Sequence, residues 1–102
     1  MPELPEVEIQ VRALRRRLRG QRITGVPSRD PKIRLPTDLC GAQIRDITRH
    51  GKYIIFHLAD GRYVLAHLRM TGWFEFREPA RWRVAIRTAR ATAFLEDSRR
   101  FA

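Results

Sequence analysis

The first six residues, Met1-Pro2-Glu3-Leu4-Pro5-Glu6, set a potential secondary amine beside two carboxylates. If Met1 is removed, Pro2 carries that amine free. An α-amino group titrates near pH ~8, so a useful fraction is neutral at physiological pH. Such an amine can attack a sugar aldehyde carbon and form an iminium ion, the Schiff-base chemistry that lysine performs in other enzymes. With Met1 in place the same nitrogen is an amide and inert. Glu3 adjoins it and can relay the protons that sugar ring opening and iminium formation require. Glu6 lies one helical turn further on and shares that side. Glu8 falls elsewhere and is expected to be solvated. Each of these residues also has a plainer explanation, because proline at an early helix position and acids in a first turn serve backbone and dipole needs alone.

Four other places hold residues with chemical potential. Lys52 in His50-Gly51-Lys52-Tyr53 is, with Lys32, one of only two lysines in an arginine-rich chain. A lone strand-edge lysine is usually solvated or a guard against edge pairing. As a compact ammonium on a flexible stem it also suits a phosphate that moves during a reaction. His67 ends an apolar run and could simply bond to backbone. Met70 stands in Arg69-Met70-Thr71-Gly72, a loop where an apolar side chain is costly unless it packs or meets a partner. Arg99 and Phe101 could hydrogen-bond and stack on a base, or form no more than a basic tail.

The elements that must position these residues are legible from periodicity. Residues 3–19 read as a helix: Val7, Val11, Leu14 and Leu18 make one apolar stripe, with Pro5 in the first turn and Gly20 as the stop. Acids in the first turn and Arg15, Arg16, Arg17 and Arg19 in the last match the helix dipole. Short β-like runs follow at 22–26, 42–49, 53–58, 63–68, 73–77, 82–87 and 93–95. Asp60-Gly61 between two of them is a strong hairpin signal. Residues 27–36 read as a polar loop, and 78–93 as a basic stretch of uncertain register with few turn signals. The predicted fold is α+β and mainly β: a β-sandwich of about seven to eight short strands, with the N-terminal helix at its side.

Bulk properties narrow the function classes. Twenty-one basic against eleven acidic residues give a formal charge of +10, which points to a polyanionic partner and to bidentate arginine–phosphate contact. A basic but ordinary surface is the alternative. Cys40 is the only cysteine, so no disulfide within the chain and no cysteine zinc site is expected. No apolar run approaches the roughly 18–20 residues that span a bilayer, and no signal-peptide pattern opens the chain. A soluble, cytoplasmic chain without a membrane partner is expected.

Four ordered segments carry a resemblance: the opening PELPEVE, Gly51-Lys52-Tyr53, His67-Leu68-Arg69-Met70-Thr71-Gly72, and Asp97-Ser98-Arg99-Arg100-Phe101. Together they resemble the N-terminal catalytic domain of the formamidopyrimidine-DNA glycosylase and endonuclease VIII family of base-excision repair enzymes. Leu4 is nearer the formamidopyrimidine branch than the other, which tends to have glycine there. The resemblance implies a β-sandwich with a short second helix near residues 36–41. It implies a bifunctional DNA glycosylase and abasic-site lyase with Pro2 as nucleophile, Glu3 as proton relay, Glu6 in support of the lesion site and Lys52 on the phosphates around the lesion. His67 would contact a DNA phosphate, and Met70, Arg99 and Phe101 would fill the void that an everted nucleotide leaves. The expected partner is double-stranded DNA with an abasic site or an oxidised purine such as 8-oxoguanine, and the expected state is a monomer. No cofactor is expected in this chain. The family's helix-two-turn-helix module and zinc finger lie outside residues 1–102, so weak or incomplete activity is expected of this chain alone. The competing class is a basic nucleic-acid-binding module without catalysis.

Overall fold

The structure is a computed structural model and describes residues 4–68 and 72–96. Helix α1, Leu4–Leu18, forms where the apolar stripe predicts it. Val7, Val11, Leu14 and Leu18 are all buried, and each contributes roughly 1.5–3 kcal/mol relative to exposure. Seven strands follow: β1 Ile23–Gly25, β2 Ile44–His50, β3 Tyr53–Leu58, β4 Tyr63–His67, β5 Trp73–Glu75, β6 Trp82–Thr88 and β7 Thr92–Glu96. They form two antiparallel sheets, ordered β1-β6-β7-β5 and β2-β3-β4. Period-2 alternation decides what each sheet buries. Ile54, Phe56 and Leu58 of β3 face inward and meet Phe74, Val84, Ile86 and Leu95 of the other sheet. The Phe56 and Phe74 rings join the layers edge-on, with centroids 5.8 Å apart. This is the mainly β sandwich with a flanking helix that the pattern predicts.

The helix runs antiparallel to β2, and its contacts can be read off residue by residue. Glu8 meets Arg49, Arg15 meets Asp46 and the Ile47 carbonyl, and the Gly20 N–H reaches the Ile44 carbonyl. The N-terminal end of α1 therefore points the same way as the β2–β3 turn.

One expectation holds in a shorter form, and two are refined. The short second helix near 36–41 is a single 3-10 turn, Thr37–Leu39, which buries only Leu39. Extended backbone at Pro36 and Cys40 closes it on both sides. The loop at 27–36 is ordered from within. The Ser28 hydroxyl donates to the Ile33 carbonyl and accepts from the Asp30 N–H, Asp30 is buried, and Ile33 and Leu35 pack on the core. The stretch 78–93 contains a hairpin whose turn has no glycine or proline. The Thr88 hydroxyl donates to the Ala91 carbonyl at 2.7 Å and accepts from the Ala91 N–H at 3.1 Å. A register shift between Trp82 and Val84 in the β6–β7 pairing obscures its alternation.

Candidate active site

Glycine fixes the turn that presents Lys52. His50 and Tyr53 are paired across β2 and β3, leaving a two-residue connection, Gly51-Lys52. Such connections need positive φ at the first position, and Gly51 has φ +60°. Lys52 is half-buried, and its ammonium has no hydrogen-bond or ion-pair partner among the described residues. Arg49 ties the turn to the helix. Its Nε donates to Glu8 at 3.0 Å, and a terminal nitrogen donates to the Gly51 carbonyl at 3.0 Å. Glu8 also lies 3.7 Å from Arg12. Glu8 is thus half-buried and paired, which corrects the expectation that it is merely solvated.

The neighbouring strand brings His67 to the same end. His67 is the cross-strand partner of Tyr53, and their rings meet edge-on at 4.8 Å. Residues 69–71 follow directly. Across the sandwich, Trp73 is paired with Glu96 in the β5–β7 register, so the start of β5 and the end of β7 lie side by side. Glu6 is exposed in the first turn of α1. The described architecture therefore directs four parts of the chain to one end: the start of α1, the Gly51-Lys52 turn, the end of β4 beyond His67, and the end of β7. Pro2, Glu3, Met70, Arg99 and Phe101 themselves lie outside the described residues. Among the described residues no group of three or more His, Cys, Asp or Glu could hold a metal ion.

These converging segments are the ones that carry the family resemblance. The formamidopyrimidine-DNA glycosylase N-terminal domain model matches residues 1–102. The chain belongs to that family. A Thermus thermophilus formamidopyrimidine-DNA glycosylase is 40% identical over 102 residues, covering 99% of this chain and 38% of the relative. One from Legionella pneumophila is 47% identical over 78 residues, covering 71% of this chain and 28% of the relative. Among solved structures, Lactococcus lactis Fpg in complex with FAPY-dG-containing DNA superposes with TM-score 0.87 at 31% identity, covering 97% of this chain and 42% of that one. The complex of the same enzyme with abasic-site DNA gives TM-score 0.87 at 31% identity, over 97% and 41% of the two chains. The matches thus cover between 28% and 42% of the length of these glycosylases. No described helix is long and apolar enough to cross a membrane.

Two residues that position the glycosylase-like end escaped the sequence reading. Arg49 is one arginine among many, and only the fold shows that it bridges α1 and the Lys52 turn. Gln10 is buried and bonds to both main-chain polar groups of Phe74. Its signal was available: it lies three residues after Val7, on the stripe that α1 buries, and a polar side chain there needs a partner.

Proposed function

We propose that this chain carries the nucleophilic half of a base-excision repair enzyme, a DNA glycosylase and abasic-site lyase acting on oxidised purines. The observation that supports the reading is the convergence of the α1 start, the Lys52 turn, His67 and the segments leading to Met70 and Arg99 at one end. After removal of Met1, the neutral Pro2 nitrogen attacks C1′ of the damaged nucleotide. The C1′–N glycosidic bond breaks, and the base leaves with its electron pair and takes up a proton. Glu3 protonates O4′, the C1′–O4′ bond opens, and loss of the proton from nitrogen leaves the iminium. Abstraction of a C2′ proton then expels the 3′ phosphate by β-elimination, and δ-elimination of the 5′ phosphate leaves a one-nucleotide gap. Lys52 neutralises phosphate charge as these bonds break. Met70, Arg99 and Phe101 occupy the space left in the duplex, where an apolar or stacking group limits the cost of unstacking, a few kcal/mol in general.

The substrate class is duplex DNA with an oxidised purine or an abasic site, a reading supported by the formamidopyrimidine-DNA glycosylase relatives and the Lactococcus lactis Fpg complexes with FAPY-dG and abasic-site DNA. The site of action is the cytoplasm, at the nucleoid if the source is bacterial. The chain is read as a monomer that uses no cofactor, with the helix-two-turn-helix and zinc-finger modules in the part of the family that residues 1–102 do not span. Abasic-site cleavage depends less on those modules than base recognition does, because no glycosidic bond need break.

Borohydride trapping on an abasic-site duplex, with intact mass recorded, tests the reading. Protein lacking Met1 is expected to give a covalent adduct at residue 2, and Pro2→Gly to lower its yield sharply. No adduct from protein confirmed to lack Met1 would leave a binding module without independent lyase chemistry.

A further inference from the structure

We propose that Gln10 is a positioning residue that holds the nucleophile-bearing helix at a fixed offset from edge strand β5, the strand that follows Met70 in sequence. The inference rests on the reading of Pro2 and Met70 given above. Gln10 is 4% exposed and lies in the second turn of α1, six residues from the helix start, or about 9 Å along the axis. Its Oε1 accepts from the Phe74 N–H at 2.7 Å, and its Nε2 donates to the Phe74 carbonyl at 3.2 Å. Donor and acceptor match only one orientation of the amide, so the side chain has a single bonded pose. Among the described residues β5 is an edge strand, with β7 on one side and no strand on the other. The Gln10 carboxamide bonds to it as the peptide group of a neighbouring strand would. Two residues before Phe74, the Gly72 N–H donates to the Leu68 carbonyl at 2.8 Å and ties the start of β5 to the residue after β4. Helix, edge strand and the residue after β4 are therefore linked by directional bonds, two from the Gln10 side chain to Phe74 and one between the main-chain groups of Gly72 and Leu68.

This arrangement matters because the two reacting parts come from distant stretches of sequence. The amine must reach C1′ of a nucleotide that stays everted only while its void is filled. Polar contacts to β2 already fix the helix against one sheet, and the bidentate amide fixes its register against the other, at edge strand β5.

The test compares Gln10→Met, which keeps the volume and removes both bonds, with Val11→Ala, which removes packing from the adjacent buried position. Amide hydrogen exchange on the 102-residue chain without DNA is the first readout. In Q10M, exchange at Phe74 and Gly72 is expected to rise at least tenfold, with Leu58 and Ala85 unchanged; V11A should not single out Phe74 and Gly72. Unchanged exchange at Gly72 in Q10M would overturn the proposal, whatever the chemistry does. The second readout is single-turnover adduct formation at saturating abasic-site duplex. Q10M is expected to form adduct about tenfold more slowly with half-saturation shifted less than twofold, while V11A keeps the wild-type rate. Equal slowing in Q10M and V11A would reduce Gln10 to a stability residue and overturn the positioning role. If wild-type protein forms no adduct, the nucleophile reading fails, and the exchange result still decides whether Gln10 holds the edge strand.

Discussion

The two ends of the sandwich are both basic and differ in what organises the charge. At the end where α1 begins, Arg49 is committed, with one nitrogen on Glu8 and another on the Gly51 carbonyl, while the Lys52 ammonium has no partner among the described residues. At the opposite end, Arg16 and Arg17 of α1 and Arg90 of the β6–β7 turn line a concavity of about 210 Å³. Arg17 stacks on Phe76 with its guanidinium 4.2 Å from the ring centroid. None of these three arginines has a carboxylate partner among the described residues. Their place in the last turn of the helix and beside it is accounted for by the negative end of the helix dipole. Density of positive charge therefore fails to distinguish the ends. Each end has a glycine turn, Gly51 at the first and Gly61 at the other. What distinguishes the first end is convergence, since it receives the helix start, the turn that carries Lys52, and the described residues next to the two remaining segments that carry the resemblance.

The comparison breaks most directly by removing charge from each end in turn. Lys52→Gln is expected to slow adduct formation on an abasic-site duplex about 10- to 100-fold, the range of one positioned electrostatic or proton-transfer group. The triple variant R16Q/R17Q/R90Q removes three charges from the other end. At fixed ionic strength near 0.15 M, where exposed charges beyond about 8 Å are largely screened, it should change the rate less than about threefold. A triple variant as slow as K52Q would mean that total charge, not position, governs the reaction.

The fold was legible because the strands obey simple rules. β3 alternates so that Ile54, Phe56 and Leu58 face inward, and Gly61, with φ +93°, closes the predicted Asp60-Gly61 turn. The β6–β7 hairpin was obscured because a threonine hydroxyl does the work glycine usually signals, and a register shift interrupts the alternation. The candidate site was legible as a set of segments but not as an arrangement. Nothing in the sequence says that α1 runs against β2, so the pairing of Glu8 with Arg49 and of Gln10 with Phe74 depends on the assembled sandwich. Both are contacts between residues more than forty positions apart, beyond the reach of periodicity.

A smaller perturbation sharpens the account of how the first end is held. Glu8→Gln removes the charge that pairs with Arg49 at 3.0 Å and with Arg12 at 3.7 Å. The loss should be about 0.2–1 kcal/mol, as for other partly exposed pairs, and should shrink as salt is raised. Arg49→Gln also removes the bond to the Gly51 carbonyl and should cost about 0.5–1.5 kcal/mol more. Urea denaturation of both variants measures the difference. Equal losses would show that the Glu8 pair alone carries the link and that the Lys52 turn is held by its own strands.

The smallest expected effect concerns the other half of the helix. Asp46 titrates below its ordinary value of 3.8, chiefly because its carboxylate accepts the Ile47 N–H, with the charges of Arg15 and Arg19 adding to this and burial opposing it. A group whose folded pKa is depressed contributes stability above its unfolded pKa and loses it as pH falls through the folded pKa. Stability should therefore decline below about pH 4 and less steeply in Asp46→Asn, by no more than about 1 kcal/mol because the side chain is over a third exposed. Asp60 is also depressed, first by its bond from Arg62, and so loses its contribution in the same window. Asp60→Asn is accordingly the background in which D46N should be read by denaturation across pH. Arg15 Nε sits 2.7 Å from the Ile47 carbonyl and 3.3 Å from Asp46, so two acceptors share one donor. If D46N in that background follows the parent curve below pH 4, the carbonyl alone anchors Arg15, and the far half of α1 is held without a titrating group.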